Sequence, residues 1–258
     1  QGLLVLGADS PGAFEMRAGA PCRVTTFGLG ETAEWRATGV EAAPDGMTFA
    51  VEHRGDPVTE VRVPLVGEFN VRNVLAAFAV ASEVGLDPTT MAASVARFEG
   101  VRRRLEVRGQ ERGGTVYDDF AHHPTAVRET LAGVRASNPS RRIWALFEPR
   151  SATACRRIFQ EDFVGAFSQA DEVIIGRVYR SSLPEADRLS ETELVAGIGA
   201  AGVRARHLVE VEDIVRTVVD EAREGDLVVV MSNGAFGGIH GRLLEALAVS
   251  GSGAPQPI

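Results

Sequence analysis

Four strings in the second half of the chain hold the residue types that grip anions and hydroxyl groups. They are Asp118-Asp119-Phe120-Ala121-His122-His123-Pro124, Glu148-Pro149-Arg150-Ser151, Arg177 with Arg180-Ser181-Ser182, and Ser232-Asn233-Gly234-Ala235-Phe236-Gly237-Gly238. A loop carboxylate accepts hydrogen bonds from hydroxyls such as those of a ribose. A guanidinium fork takes a carboxylate or phosphate through two parallel bonds, a geometry that an ammonium does not reproduce. All 27 basic residues are arginine, which leaves no Schiff-base, general-base or phosphate-loop lysine. No convincing nucleophile replaces one, so no catalytic residue is assigned within this chain.

Such strings need a scaffold that brings them to one place. Each follows a short β-branched or apolar run, with strands expected at 115–118, 143–147, 172–175 and 227–231 and a further one at 203–208. Amphipathic stretches alternate with them. Val127, Leu131 and Val134 recur at helical spacing behind Pro124, Ser190 and Glu193 have the spacing of a capping box, and 211–223 and 243–249 complete the set. The alternation predicts an α/β fold with a Rossmann-like, doubly wound, mostly parallel sheet over residues 102–250. In such sheets ligands lie outside the carboxyl ends of the strands, so the four strings are expected on one shared edge.

The first part of the chain, residues 1–101, reads as a separate domain. Extended segments at 23–27, 47–51 and 58–63 precede two helices, and the first helix, 74–84, is nearly all Ala, Val, Leu and Phe. Apolar on every face, it is expected to be buried on every face, within a core larger than a hundred residues supply. Asn70 and Asn73 share a face where this helix begins. Asn70 suits an N-cap, whereas the amide of Asn73 has the donor and acceptor to pair with an adenine edge. Arg102-Arg103-Arg104 marks the joint between the halves, and one of the three is expected to turn into a cleft there.

Several other readings are set aside. Asp118, Asp119, His122 and His123 make a poor metal site, because adjacent histidines point apart and no His-x-x-x-His or cysteine partner is visible. His123 with Pro124 equally suits the cap of the next helix. Gly28-Leu29-Gly30-Glu31-Thr32-Ala33 matches a dinucleotide fingerprint, but no helical stripe follows it, so nicotinamide binding is not expected. The two cysteines, Cys22 and Cys155, suggest neither a disulfide nor a zinc site. A net charge of −8 argues against a nucleic-acid face, and no apolar run approaches a membrane span. A cytoplasmic protein is expected, with residues 251–258 as a flexible tail. The missing initiator methionine points to a chain that begins within a longer protein.

The strings, taken in order, resemble the carboxy-terminal part of the Mur ligases. Gly67-Glu68-Phe69-Asn70-Val71-Arg72-Asn73 resembles that family's glycine–asparagine segment, and Phe98-Glu99-Gly100-Val101-Arg102-Arg103-Arg104-Leu105-Glu106 its interdomain segment. The resemblance implies the later part of a central ATPase domain followed by the Rossmann-like, peptide-binding domain. It implies ATP as cosubstrate, with Asn70 and Asn73 at the adenine, Arg104 at the nucleotide, Asp119 at the ribose, and His122 and His123 in the same loop. Glu148-Pro149-Arg150-Ser151-Ala152-Thr153 and Met231-Ser232-Asn233-Gly234-Ala235-Phe236-Gly237-Gly238-Ile239-His240 are similar to the branch that adds a murein tripeptide to UDP-N-acetylmuramate. The substrate residues implied are Arg150, Ser151, Arg177, Arg180, Ser232 and Asn233. The family's phosphate loop, its lysine and its Mg2+ ligands lie upstream of Gly2, so this chain alone is expected to be inactive. Alternatives are the alanine-adding branch and a non-catalytic nucleotide-binding module.

Overall fold

A computed structural model describes residues 2–179 and 183–251. They form two compact units, divided between Gly100 and Val101. Among the described residues no helix is long and apolar enough to cross a membrane.

The first unit contains β1 (Leu3–Gly7), α1 (Pro11–Glu15), β2 (Arg23–Gly28), β3 (Trp35–Ala43), β4 (Gly46–His53), β5 (Asp56–Val63), α2 (Glu68–Glu83) and α3 (Pro88–Val95). Its sheet has the order β1-β2-β3-β4-β5, parallel as far as β3 and antiparallel beyond. Strands β1 and β3 went unforeseen in the sequence; the others match the extended segments. Arg54 and Gly55, both at positive φ, close the two-residue turn from β4 to β5, where the twist of the strands calls for that conformation. Met47, Phe49 and Val51 alternate inward along β4 and meet Val71, Val74, Leu75, Phe78 and Ala79 of α2. After Leu29 the chain enters β3 rather than a helix, which removes the dinucleotide fingerprint as a phosphate site.

Among the described residues one side of helix α2 is uncovered: Val80 is 53% exposed and Val84, just past its end, 73%. That is the exposure expected of a helix whose core is larger than these hundred residues supply. The sheet lies against one side of the helix only, and uniform apolarity along a sequence does not reveal how many neighbours arrive.

The second unit contains β6 (Glu106–Glu111), β7 (Gly114–Asp119), α4 (Pro124–Ser137), β8 (Ile143–Phe147), α5 (Gln160–Ala166), β9 (Glu172–Ile175), α6 (Glu191–Ala200), β10 (Arg204–His207), α7 (Val211–Glu221), β11 (Leu227–Met231) and α8 (Ile239–Gly251). The sheet order is β10-β9-β8-β11-β7-β6, parallel throughout except for β6. This is the doubly wound sheet that the sequence predicts. Helices α4, α5 and α6 cover one face through Val127, Leu131, Phe163, Leu194 and Ile198. Helices α7 and α8 cover the other through Ile214, Val218, Leu243 and Leu247. Strands β8 and β11 sit in the middle with every residue buried, which is why each reads as an unbroken apolar run. The capping box at α6 is only half made. The Ser190 hydroxyl accepts from the Glu193 amide at 3.3 Å, but the Glu193 carboxylate takes a hydrogen bond from Arg157 instead of turning back.

The contrast along α2 is measurable by urea unfolding of this chain. Phe78→Ala, which empties a fully buried position, should cost about 3–5 kcal/mol. Val80→Ser on the open side should change stability by no more than about 0.5 kcal/mol. Equal losses would mean that the open side of α2 is covered in solution.

Candidate functional site

Strand register places the candidate loops. Met231 pairs with both Asp119 and Phe147, Phe147 with Ile175, and Ile175 with His207, so five parallel strands end in one row. Backbone pairing then runs one residue past each end. Ser232 donates to Asp119 O at 3.1 Å, Glu148 to Met231 O at 3.0 Å, Gly176 to Phe147 O at 2.8 Å and Leu208 to Ile175 O at 3.0 Å. The loops after β7, β8, β9 and β11 therefore leave a single edge, in the order that the sheet dictates.

At the centre of that edge Glu148 and Ser232 are both buried, at 3% and 2% exposure. The Ser232 hydroxyl lies 2.5 Å from Glu148 Oε2 and accepts from the Gly234 amide at 2.9 Å. Burial pushes the Glu148 carboxyl above its usual range, against the opposing pull of the Ser232 bond and of Arg150 and Arg103. Arg150 lies over the Tyr179 ring, 3.8 Å from its centroid, with Nη1 4.0 Å from Glu148 Oε2. That separation is an ion-pair distance, too long for a hydrogen bond, and the guanidinium is partly exposed. Gly234 makes room for it, since a β-carbon there would come within 2.3 Å of Arg150 Cδ.

The other candidate substrate residues fare unevenly. Ser151 accepts from the Ala154 amide at 2.9 Å and shapes the turn behind Arg150. Arg177 reaches the same edge but is exposed and paired with Glu210 at 3.0 Å. Asn233 holds its side-chain oxygen buried without a hydrogen-bond partner. Arg180 lies outside the described residues.

A second cluster surrounds Phe120. Arg104 is exposed above that ring, at 5.6 Å, and His122 packs edge-on against it while its Nδ1 lies 2.8 Å from Phe120 O. Asp119 is 3% exposed, and its carboxylate is already taken by the amides of Leu105 at 2.8 Å and Ala121 at 2.7 Å and by the Thr130 hydroxyl at 3.4 Å. Burial raises its pKa in spite of those donors and of the Arg104 charge. His123 caps α4, accepting from the Thr125 amide, and rests on Phe159. Of the two histidines it is thus the structural one.

In the first unit Asn70 and Asn73 lie in the opening turns of α2, whose N-cap is Gly67 and not Asn70. Asn70 donates to Val66 O at 2.9 Å and accepts from Asn73 at 3.4 Å. Its amide is largely spent. Exposed Asn73 retains its oxygen and one N–H, the pair that an adenine edge would need.

Four residues of consequence were assigned no site role from the sequence: Arg103, Asp118, Tyr179 and His240. Arg103 donates to Ser232 O at 2.5 Å, to Gly234 O at 2.8 Å and to Asp118 at 3.4 Å. His240 Nε2 stands 3.4 Å from the same Asp118 oxygen, and burial lowers the histidine's pKa. Nothing in three consecutive arginines marks the middle one. Among the described residues, no group of three or more His, Cys, Asp or Glu is placed to hold a metal ion. Asp118 faces Arg103 while Asp119 faces backbone amides.

Residues 103–234 match the Mur ligase glutamate ligase domain, and residues 1–81 match the Mur ligase middle domain. The chain belongs to the Mur ligase family. Mur ligases are ATP-dependent amide ligases of peptidoglycan precursors, and they use ATP and Mg2+. The UDP-N-acetylmuramate–L-alanyl-γ-D-glutamyl-meso-2,6-diaminoheptandioate ligase of Escherichia coli K12 is 40% identical to the chain over 222 residues, which make up 85% of this chain and 46% of that protein. The UDP-N-acetylmuramate–L-alanine ligase of Variovorax paradoxus is 34% identical, over 96% of this chain and 53% of that protein. The solved murein peptide ligase of Psychrobacter arcticus superposes with a TM-score of 0.67 at 29% identity, over 96% of this chain and 52% of that one. The chain thus spans about half the length of the curated relatives it matches.

The state of Glu148 is open to test. Its raised pKa means that the folded protein binds the proton more tightly than the unfolded chain does. The resulting cost is absent below the unfolded value near 4.5 and grows as pH rises through the folded value. Glu148→Gln keeps a hydrogen-bonding group beside Ser232 and cannot ionise. Between about pH 4 and about pH 7, thermal unfolding of the variant should gain on that of the native chain. A gap that stays constant, or that moves the other way, would show Glu148 to be ordinary.

Proposed function

We propose that the full-length protein joins L-alanyl-γ-D-glutamyl-meso-diaminopimelate to UDP-N-acetylmuramate at the expense of ATP, as a step in peptidoglycan recycling. The observation that carries this reading is the Arg150 fork. It lies on the carboxyl edge of the sheet, stacked on Tyr179 and 4.0 Å from buried Glu148, and is partly exposed to solvent. A peptide with several carboxylates suits such a fork, and free alanine offers only one. The tripeptide-adding relative also shares more identity with this chain than does the alanine-adding relative named with it.

In this reading ATP phosphorylates the lactyl carboxylate of UDP-N-acetylmuramate, and the amino terminus of the peptide displaces phosphate from the acyl phosphate. Positioning and charge neutralisation dominate such chemistry, and a nucleophilic side chain is not required. Arg150 orients the peptide by a carboxylate, with Ser232 and Asn233 beside it and Arg177 at the rim. Asn73 meets the adenine, and Arg104 meets the nucleotide from its place on Phe120. Asp119, with its oxygens committed to Leu105, Ala121 and Thr130, serves the ribose chiefly by setting the loop that carries His122.

The alanine-adding reaction is the second reading, on the strength of the Variovorax relative. Rates of phosphate release by the full-length enzyme, with tripeptide and with alanine as acceptor, separate the two. Tripeptide should win by a large margin in kcat/KM. Arg150→Lys, which keeps the charge and loses the fork, should raise KM for tripeptide about tenfold, or about 1.4 kcal/mol, with KM for ATP little altered. Unchanged tripeptide kinetics in both Arg150→Lys and Arg150→Ala would remove Arg150 from substrate recognition.

A further inference from the structure

Arg103, Arg104 and Phe120 share one corner of the second unit, yet the two arginines do opposite things. Arg104 is exposed, whereas Arg103 turns inward beneath the loop that follows β11. We propose that Arg103 is a positioning residue for peptide recognition: it clamps the 232–238 loop and, through Ser232 and Glu148, sets Arg150. The proposal rests on the reading of Arg150 as the peptide's carboxylate partner.

One guanidinium nitrogen of Arg103 serves two carbonyls of the loop, those of Ser232 and Gly234. Those two residues are the ones that touch Glu148 and Arg150. The Ser232 hydroxyl holds Glu148 at 2.5 Å, and Gly234 is the surface against which Arg150 lies. The loop needs an external clamp, because Phe236, Gly237 and Gly238 all have positive φ and glycine-rich backbone has many competing conformations. Its far end is held as well. His240, which opens α8, lies 3.4 Å from the Asp118 oxygen that also faces Arg103.

The arginine is itself held with unusual thoroughness. Arg103 and Leu105 both adopt positive φ, at 59° and 48°, a conformation that persists in such residues only when the surroundings over-determine it. Here they do. The Arg103 amide donates to Glu106 at 2.8 Å, its carbonyl accepts from the Phe120 amide at 2.8 Å, and the Leu105 amide donates to Asp119 at 2.8 Å. Phe120 lies under both guanidiniums, at 5.1 Å from Arg103 and 5.6 Å from Arg104.

The test uses the full-length enzyme. Arg103→Lys retains the charge but cannot reach both carbonyls and Asp118 at once. It should raise KM for tripeptide about tenfold while KM for ATP and for UDP-N-acetylmuramate stay within about twofold. In an Arg150→Ala background the same change should add less than about twofold, because Arg103 acts through Arg150. Hydrogen exchange in the Arg103→Lys variant should quicken in the amides of 233–238 and not in β8. A raised KM for ATP alone, full additivity with Arg150→Ala, or unchanged exchange in the loop would each overturn the proposal. If Arg150→Ala leaves tripeptide KM unchanged, the peptide reading itself has failed. If Arg150→Ala raises it and Arg103→Lys does not, only the clamp has failed.

Discussion

The carboxylate of Asp119 is the contact on which the carboxyl edge of the second sheet depends. It closes β7 and is almost wholly withdrawn from water, and its two oxygens collect donors from three directions. Leu105 N–H ties down the turn that precedes β6, Ala121 N–H fixes the exit from β7, and Thr130 pins α4. Burying a carboxylate is costly unless such donors are in place, and here burial still raises its pKa after all of them have acted. The arrangement is therefore demanding: each donor must arrive for the others to be worth keeping.

The two ends of this sheet use arginine in different ways. At the amino end Glu172, 4% exposed, accepts from Arg142 at 2.5 Å, Arg204 at 3.0 Å and Arg206 at 3.3 Å. Arg206 also pairs with Glu221 and holds that carboxyl down at about 2. Asp226 takes the Trp144 indole N–H at 2.8 Å on the same side. Every charge there has its opposite, and the result is structural. At the carboxyl end Arg150 is stacked on Tyr179 with Glu148 4.0 Å away. The same residue type has thus served both ends.

Local pattern carried most of the fold. The five parallel strands of the second unit lie where the sequence placed them; β8 and β11 announce themselves as unbroken apolar runs because they are buried at every residue, whereas β10 at the sheet edge is Arg204-Ala205-Arg206-His207. Pattern failed where the outcome depended on neighbours. Strand β3 begins Trp35-Arg36-Ala37-Thr38, an alternation too short and too polar to stand out, and it forms because β2 and β4 flank it. Helix α2, apolar throughout, is covered on one side by this unit's sheet, and its sequence does not say what meets the other.

The site divides along the same line. Residue types and their spacing were enough to place Arg150, Ser232 and Asn233 on one edge with Asp119 and His122, because register in a parallel sheet brings the strand ends level and the loops have nowhere else to go. Tertiary structure alone decided which of three adjacent arginines turns inward, since that choice rests on left-handed backbone at Arg103 and Leu105 enforced by Asp119, Glu106 and Phe120. It alone decided that His123 caps a helix while His122 turns to Phe120. It also decided the pairing of Glu148 with Ser232, 84 positions apart in the chain. These are contacts made through space, and their energies depend on distance, burial and dihedral angle, none of which a linear order of residues contains.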